Sequence, residues 1–366
     1  MKKILWLTNI PSPYRVAFFN ELGKQCSLMV LFEKASSDVR DDDWKNYSFD
    51  TFEGIILKGI ATSVNTAISL QFAKYINSYK DDIIVVGNPA TPTGLLAILY
   101  MQMRNIPYVV ESDGAFPSNS QSLKEWLKKR LYSKAKACFT TSKLGVDYFL
   151  KYSVKRENIY IYPFSSVPNF YLTTKPLTKT EKKELRKNLS IVGKKIIASV
   201  GQFVYRKGFD VLLEALCQVD TDVHTYIIGN KPTQSYIDYC KKHNLVNVHF
   251  IEFMRPEQLK LWYQAADFFV LPTREDVWGL VVNEAMACAL PVITTTRCMA
   301  GIEMVENGKN GYLVEVENSE HLANAINKMA QLDNMDNMAL GALNKAREYT
   351  IETMAQKHVE LFNILN

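Results

Sequence analysis

Cysteine is sparse in this sequence and forms no recognisable pattern. The six cysteines are scattered over 366 residues, and no two of them have the CxxC spacing. That spacing is typical of zinc sites and redox dithiols, so neither is indicated. Most of the six stand in apolar surroundings, which favours reduced, buried thiols in a reducing compartment.

No apolar run approaches the roughly 20 residues that a membrane-spanning helix needs. The chain starts with lysines and a short apolar stretch, Ile4–Leu7. This stretch is shorter than the core of a secretory signal, and no small-residue cleavage site follows it. We interpret it as a buried strand. We expect a cytoplasmic protein, at the inner face of the cytoplasmic membrane if it contacts lipid.

Patterns typical of metal sites and nucleic-acid binding are also missing. The five histidines form no cluster, and no acidic pair has the spacing of a divalent-cation site. We therefore expect no metal and no cofactor. The net charge of +5 is mild. The lysines interleave with too few aromatic residues to predict nucleic-acid binding.

Short Ile/Val-rich runs alternate with amphipathic stretches along the chain, which predicts parallel sheets covered by helices. Twelve runs are predicted as strands: Lys3–Thr8, Ser27–Phe32, Ile83–Val86, Tyr108–Glu111, Ala137–Thr141, Asn158–Tyr162, Lys195–Val200, His224–Ile228, Val248–Ile251, Asp267–Leu271, Val292–Thr295 and Gly311–Val314. Six runs in each half predict an α/β protein with two Rossmann-like, doubly wound domains facing a central cleft.

The domain boundary is expected within residues 163–190, where prolines and a charged run replace apolar strands. We predict one domain over residues 1–168 and a second over residues 169–349. Residues 350–366 have helical periodicity. They are predicted to form a C-terminal helix that packs back toward the N-terminal domain.

Residues 272–291 carry the strongest chemical signal. A loop containing Asp276 follows a predicted strand, and Gly279 stands where a helix begins, near Leu280. Glycine at that point lets backbone N–H groups approach a phosphate oxygen closely, and the helix dipole favours the negative charge.

Glu284 lies about one turn into the same predicted helix. Its neighbours Val281, Val282, Ala285 and Met286 are apolar, and a lone carboxylate in such surroundings is costly. It is well placed to accept hydrogen bonds from a ribose diol. The alternative is an acidic residue on the helix surface.

A second signal follows the first strand of the second half. Gly201 and Gln202 end that strand, and Arg206, Lys207 and Gly208 form a basic turn before an amphipathic helix. Adjacent cations at a strand-to-helix turn suit a diphosphate. A lysine–glycine turn is also common on solvated surfaces, so this alternative stays open.

Together these segments resemble glycosyltransferase family 4, whose members are retaining enzymes with the GT-B fold. The family has two glutamates separated by seven residues in a Gly-Leu and Glu-Ala-Met context. Residues 276–284 match, except that the first acid is Asp276. The Lys207–Gly208 step also matches, but Gln202 replaces one of two usual phosphate cations. Residues 301–314 match a further run, and residues 9–15 and 110–114 match weakly.

The resemblance implies a metal-independent hexosyltransferase with a UDP- or GDP-linked sugar as donor. The N-terminal domain would bind the acceptor and the C-terminal domain the donor. Glu284 would bind the ribose, and Asp276 would face the transferred sugar. The backbone at Gly279 and Leu280 would meet sugar hydroxyls or phosphates.

The basic turn has its own implied role. Lys207, with Arg206 as helper and Gln202 at the missing cation's position, would neutralise the leaving diphosphate, because no metal does so. Retention in this family is attributed to front-face attack, in which the leaving phosphate accepts the acceptor's proton.

In the first domain, Asp113 follows a predicted strand. It would orient the acceptor hydroxyl or help remove its proton, and its alternative is a turn-forming Asp-Gly. The loop carrying Pro13, Tyr14 and Arg15 follows the first strand. Arg15 is expected either to contact a phosphate or an anionic acceptor, or to cap the next helix.

Residues 122–136 form a predicted basic amphipathic helix that begins with a Ser-x-x-Glu capping box. Leu123, Trp126, Leu127 and Leu131 fall on one face. Such a helix can lie on an anionic membrane, where a lipid-linked saccharide acceptor would wait. The alternative is a core helix with a solvated basic face.

The function predicted from these features is sugar transfer onto a glycan, in the synthesis of a bacterial surface polysaccharide such as capsule, lipopolysaccharide or exopolysaccharide. Two alternatives remain. One is a catalytically silent nucleotide-sugar-binding partner of a glycosylation complex, and the other is a sugar-nucleotide epimerase of the same fold. A phosphorylase is disfavoured, because no lysine has an evident pyridoxal-phosphate setting.

Overall fold

A computed structural model describes residues 2–36, 47–114, 116 and 122–365. The chain divides into two compact units. The first comprises Met1–Ser166 with Thr350–Asn366, and the second is Val167–Tyr349. No helix among the described residues has both the length and the apolar character needed to cross a membrane.

The first unit is a parallel sheet covered by helices. Its strands are β1 (Lys3–Thr8), β2 (Ser27–Phe32), β3 (Glu53–Ile56), β4 (Ile60–Ala61), β5 (Ala67–Ile68), β6 (Ile83–Val86), β7 (Val109–Ser112), β8 (Ala137–Thr140) and β9 (Ile159–Ile161). Within the described residues, seven strands pair in parallel in the order β3-β2-β1-β6-β7-β8-β9, and β4 and β5 form a separate antiparallel pair. The sheet order reverses between β1 and β6, a point where α/β sheets bind ligands.

The helices of the first unit include the C-terminal one. They are α1 (Pro13–Gly23), α2 (Phe72–Ser78), α3 (Pro92–Met103), α4 (Leu123–Tyr132), α5 (Lys143–Lys151) and α14 (Ile351–Ile364). The buried His358 of α14 lies 5.5 Å from the Trp6 ring and 4.9 Å from the Phe18 ring of α1, measured between centroids. The last helix is therefore part of this unit's aromatic core.

The second unit repeats the same architecture. Its strands are β10 (Lys195–Val200), β11 (Val223–Gly229), β12 (Val248–Glu252), β13 (Phe268–Leu271), β14 (Val292–Thr295) and β15 (Gly311–Val314). Its helices are α6 (Lys179–Asn188), α7 (Phe209–Leu216), α8 (Gln234–Lys242), α9 (Pro256–Ala265), α10 (Leu280–Ala287), α11 (Met299–Met304), α12 (Ser319–Ala330) and α13 (Asp336–Arg347). The strand order is β12-β11-β10-β13-β14-β15, the order of a Rossmann domain, so its reversal lies between β10 and β13.

Each of the twelve predicted runs contains a strand. Their near-continuous burial, as in β1 and β13, is what parallel strands covered on both faces require. The sequence did not indicate β3, because this edge strand is short, only half-buried, and contains Glu53 and Gly54.

Candidate functional site

Two loops meet at the reversal point of the second sheet. β10 pairs with β13, so the turn Tyr205–Lys207 after β10 lies beside the loop after β13. The backbone N–H of Arg274 donates to the carbonyl of Arg206 at 2.8 Å. Gly208 has φ of 68°, and a Cβ there would lie 2.1 Å from the Pro272 carbonyl oxygen. Glycine is therefore required for this close approach.

The two cations of this turn converge on one carboxylate. Lys207 Nζ lies 2.7 Å from Asp276 Oδ2, and Arg206 Nη1 lies 2.7 Å from Asp276 Oδ1. Lys207 is buried, whereas Arg206 is exposed. Because two positive charges share one negative charge, the group carries a net charge of +1.

The loop around Asp276 is held in place by the segment that follows β14. The Asp276 N–H donates to the Arg297 carbonyl at 2.9 Å, and the Met299 N–H donates to the Asp276 carbonyl at 3.2 Å. Gly279, with φ of 99°, precedes α10, and a Cβ there would lie 2.7 Å from Cys298 Sγ. The Val282 N–H donates to the Gly279 carbonyl at 2.8 Å, whereas the N–H groups of Leu280 and Val281 have no acceptor one turn earlier in the helix. These two groups follow directly after the loop that holds Asp276.

Glu284 lies one turn into α10 and is half-buried. Its Oε2 accepts a hydrogen bond from the hydroxyl of the fully buried Tyr263, at 3.2 Å. Burial and the nearby carboxylate raise the pKa of Tyr263 well above its ordinary value, so this tyrosine stays a hydrogen-bond donor. Tyr263 thus fixes one oxygen of Glu284.

Arg274 holds the basic turn in place through its side-chain hydrogen bonds. The sequence analysis did not predict this role. Its guanidinium donates to both oxygens of Asp210, at 2.9 and 2.7 Å, and to Glu317 Oε1 at 2.6 Å. It also donates to the carbonyl of Tyr205 at 2.7 Å. The side chain of Gln202, two residues after β10, is exposed.

The first unit holds the other candidate residues. Pro13, Tyr14 and Arg15 were predicted in a loop, and this was wrong: α1 begins at Pro13, since proline is favoured in a first helical turn. Arg15 neither caps the helix nor faces solvent. Its side chain is only 3% exposed and forms ion pairs with Glu111 and Asp113.

Asp113 lies directly after β7, as the sequence indicated. Its Oδ1 accepts from Arg15 Nη2, and the Tyr162 hydroxyl lies 3.3 Å from the same oxygen. The structure thus brings together two residues that are separated by 98 positions. Glu111 and Tyr162 were missed by the sequence reasoning, although a glutamate inside an apolar strand is a signal that something must neutralise it.

Helix α4 packs part of its apolar face into the core. Leu131 and Tyr132 are buried there and Leu127 packs against them, whereas the side chain of Leu123 lies outside the described residues. Trp126 is 56% exposed, with the Arg130 guanidinium over its ring.

The predicted capping box of α4 is half formed. Ser122 accepts from the Glu125 N–H at 3.4 Å, but the Glu125 carboxylate binds Lys128 and Tyr152 instead of the Ser122 backbone. Two stronger partners are within reach, a lysine on the next turn and a tyrosine of α5's C-terminal end, and they hold that carboxylate.

Comparison with known proteins finds a family model that matches most of the second unit. Residues 181–346, just under half of the chain, match the model of a family described as glycosyl transferases group 1. Spore coat protein SA of Bacillus subtilis is 32% identical over 161 residues, which cover 40% of this chain and 42% of that protein. A D-inositol 3-phosphate glycosyltransferase of Corynebacterium urealyticum is 30% identical over 218 residues, 56% of this chain and 50% of that protein.

A third relative is a Campylobacter jejuni protein, N,N'-diacetylbacillosaminyl-diphospho-undecaprenol alpha-1,3-N-acetylgalactosaminyltransferase. It is 25% identical over 187 residues, 50% of this chain and 49% of that protein. The chain thus spans about half the length of these curated relatives.

Solved structures share the fold of the whole chain. The HepE protein of Anabaena, in complex with UDP, has a TM-score of 0.78 at 18% identity, with 100% of both chains covered. A glycosyltransferase from Rickettsia africae has a TM-score of 0.76 at 17% identity, covering 100% of this chain and 98% of that one. These neighbours have the GT-B fold, so the predicted fold class of two Rossmann-like domains is confirmed.

Proposed function

We propose that this protein is a retaining glycosyltransferase of family 4 that moves a hexose-type sugar from a nucleotide-sugar donor to a glycan acceptor. The observation that carries the proposal is the group formed by Arg206, Lys207 and Asp276 beside the start of α10, with Glu284 one turn further on. The match of residues 181–346 to the glycosyltransferase model supports it.

The charges of this group suit a departing nucleoside diphosphate. Lysine and arginine carry more donors than one carboxylate can use, so Lys207 and Arg206 can keep Asp276 and still bind phosphate oxygens. The net positive charge and the first N–H groups of α10 would stabilise the negative charge that develops as the sugar leaves. These residues supply that stabilisation without a metal.

The reaction we propose has one bond exchange. The acceptor oxygen forms a bond to the anomeric carbon of the donor while the bond from that carbon to the diphosphate oxygen breaks. The leaving diphosphate keeps the electron pair and takes the proton of the acceptor hydroxyl. Before the attack, Asp113 would orient that hydroxyl by accepting its hydrogen bond, and the hydrogen would turn to the diphosphate oxygen as the new bond forms.

A UDP-linked donor is the first candidate. The HepE protein of Anabaena, which shares the fold, was crystallised with UDP and with UDP-glucose. Thermal unfolding of the full chain with UDP-glucose, GDP-mannose and ADP-glucose tests this, since a bound donor raises the melting temperature by mass action. We expect a rise with UDP- or GDP-sugar that Glu284→Ala abolishes, and no rise with any of the three would contradict donor binding.

A catalytically silent nucleotide-sugar-binding protein is the second candidate. The exposed Gln202 favours it, because this residue stands where the resembled family has a phosphate-binding cation. The Asp276 carboxylate is paired with Lys207 and Arg206, so its contact with the transferred sugar is the first place where transfer would fail. Turnover separates the two candidates, because a silent protein would bind the donor without releasing nucleotide.

The acceptor we propose is a lipid-linked saccharide in the synthesis of a bacterial surface polysaccharide. The name of the Campylobacter jejuni relative describes transfer to a diphospho-undecaprenol-linked sugar. On α4, the exposed Trp126, Lys129 and Arg130 form a surface that suits anionic lipid at the inner face of the cytoplasmic membrane.

Vesicle sedimentation tests this lipid contact. We expect the chain to bind phosphatidylglycerol vesicles at low salt but not phosphatidylcholine vesicles. A Lys129→Glu, Arg130→Glu variant should lose that binding. Equal binding of the variant would contradict the role of α4.

A further inference from the structure

The carboxylate of Asp113 is held by one of its oxygens. Oδ1 receives the Arg15 guanidinium and faces the Tyr162 hydroxyl at 3.3 Å. Within the described residues, Oδ2 has no hydrogen-bond partner, and the side chain is 23% exposed. One oxygen is therefore fixed while the other is available to a ligand at the carboxyl end of β7.

A second, fully buried carboxylate stands behind this contact. Glu111 Oε1 accepts from Arg15 Nη1 at 3.0 Å and from the Tyr162 hydroxyl at 2.8 Å. Arg15 and Tyr162 thus each contact both carboxylates, and their position depends on Glu111 as much as on Asp113. The Glu111 side chain is 0% exposed.

The other oxygen of Glu111 faces a buried histidine of α14. Glu111 Oε2 and His358 Nε2 are 3.9 Å apart, and neither has a hydrogen-bond partner among the described residues. His358 Nδ1 lies 2.8 Å from the Met354 carbonyl, so Nδ1 is the donor and Nε2 the acceptor. A proton on Glu111 Oε2 would point toward this acceptor.

The ionisation of these groups fits that arrangement. Burial lowers the pKa of His358 to about 3, so its ring is neutral. Burial, only partly offset by Arg15, raises the pKa of Glu111 above its ordinary value. The carboxylate that shares Arg15 and Tyr162 with Asp113 is therefore easier to protonate than an exposed glutamate.

Stability alone gives little reason for this cluster. One guanidinium between two carboxylates leaves an unbalanced negative charge when both acids are ionised, and buried ion pairs are weak evidence for stability because desolvation offsets attraction. Apolar side chains of similar volume would fill the space at less cost. The arrangement makes more sense as a way to fix one carboxylate.

We propose that Arg15, Glu111 and Tyr162 are positioning residues that hold the Asp113 carboxylate so that its Oδ2 receives the hydroxyl of the acceptor. This proposal rests on the proposed function. Asp113 is the group that contacts substrate, and the other three act through it. The acceptor group that binds at this edge is then a neutral hydroxyl. Arg15 does not bind an anionic acceptor, because its guanidinium is already paired with Glu111 and Asp113.

A double-mutant cycle tests the proposal, with UDP release from UDP-glucose and water as the acceptor. We expect Asp113→Asn and Arg15→Gln each to lower kcat by about 100-fold. The KM for UDP-glucose should stay within about twofold, because the donor residues are untouched. The double variant should be no slower than Asp113→Asn alone, since Arg15 acts through Asp113.

Three further variants make the result specific. Arg15→Lys keeps the charge and should recover part of kcat. Glu111→Gln keeps the oxygen that Arg15 and Tyr162 contact but cannot ionise. The inflection that protonation of Glu111 gives to the wild-type kcat, at a pH above the ordinary range of a glutamate, should therefore disappear. Tyr108→Phe is the control: it removes a buried hydrogen bond to Leu131 at the other end of the same strand and should leave kcat and the inflection unchanged.

If kcat of the double variant falls by the product of the two single losses, the positioning role alone is overturned. A folded Arg15→Gln variant with the wild-type kcat would overturn it too. If Arg15→Gln does not fold, the cycle is run with Arg15→Lys, and unchanged kcat there has the same meaning. A wild-type protein that neither binds nor turns over any of UDP-glucose, GDP-mannose and ADP-glucose would overturn the proposed function first, and this inference with it. Nucleotide release by the wild type that Glu284→Ala abolishes would show that the proposed function stands and that only the positioning role has failed.

Discussion

Lys207 Nζ lies 2.7 Å from Asp276 Oδ2, although the two residues are 69 positions apart in the chain. The contact joins the turn after β10 to the loop after β13, where the strand order reverses. The lysine is almost fully buried, so its charge is partly shielded from water and acts strongly on whatever lies next to it. In the proposed function, this contact lies next to the departing diphosphate.

Replacing Lys207 by methionine should slow the reaction with little change in fold. The apolar chain is kept, but the charge that would stabilise the leaving diphosphate is lost, so we expect kcat for UDP release to fall about 100-fold. The matched control is Lys182→Met. Its ammonium binds the Ala266 carbonyl at 2.6 Å, before β13, and unchanged activity is expected there.

Arg274→Gln should weaken nucleotide binding because the basic turn loses its brace. We expect the Kd for UDP to rise about tenfold, the loss of about one good charged hydrogen bond. Arg186→Gln is the control, since Arg186 is a similarly buried arginine of the same unit that pairs with Asp267 at 2.8 Å. Equal effects of the two variants in calorimetric titrations would contradict a specific role for Arg274.

Glu284 should determine preference for ribose over deoxyribose. Its carboxylate would accept the ribose hydroxyls, so the wild type should bind UDP about tenfold more tightly than 2′-deoxy-UDP. Glu284→Ala should bind both nucleotides equally and weakly, and Tyr263→Phe should reduce the preference only in part. A preference that survives in Glu284→Ala would place the ribose elsewhere.

Glu33 makes the stability of the first unit depend on pH. It is buried directly after β2 and accepts hydrogen bonds from Thr91 Oγ1 and the Ala67 N–H. Burial raises its pKa from 4.5 to about 7. The folded state then binds the proton more tightly than the unfolded state, so the stability contributed by this group falls as pH rises from 4.5 to 7.

Glu33→Gln should remove that dependence. The amide still accepts from Ala67 and can donate to Thr91, whose hydroxyl also lies 2.9 Å from the Asn88 carbonyl. We expect the variant to match the wild type at pH 4.5 and to exceed it by about 1–3 kcal/mol at pH 8 in urea unfolding. A constant difference across this pH range would contradict the assignment.

The fold was predictable because parallel strands buried on both faces are nearly uninterrupted apolar runs. The run Phe268–Leu271, for example, has no polar residue. The edge strand Glu53–Ile56 has no such run and was missed. Pro13 was assigned to the loop that follows the first strand, but proline at the first helical position fits the helix geometry.

The site was predictable only one residue at a time. Asp113, Lys207 and Glu284 stand at strand ends or a helix start, where local sequence gives the position. Their partners are distant: Arg15 meets Asp113 across 98 positions, and Tyr263 meets Glu284 across 21. No periodicity links such pairs, because tertiary packing decides which side chains meet. His358 shows the same limit, since the periodicity of residues 350–366 predicted a helix but not the carboxylate beside this histidine.

Nucleotide release is the most direct measurement of the central claim, that this chain transfers a sugar from a nucleotide donor. Purified full-length protein is incubated with UDP-glucose or GDP-mannose, and free UDP or GDP is followed through many turnovers. The account predicts steady release from one of these donors that Lys207→Met and Glu284→Ala both reduce at least tenfold. Saturable donor binding without any release by the wild type would contradict transfer and would identify a protein that only binds the nucleotide sugar.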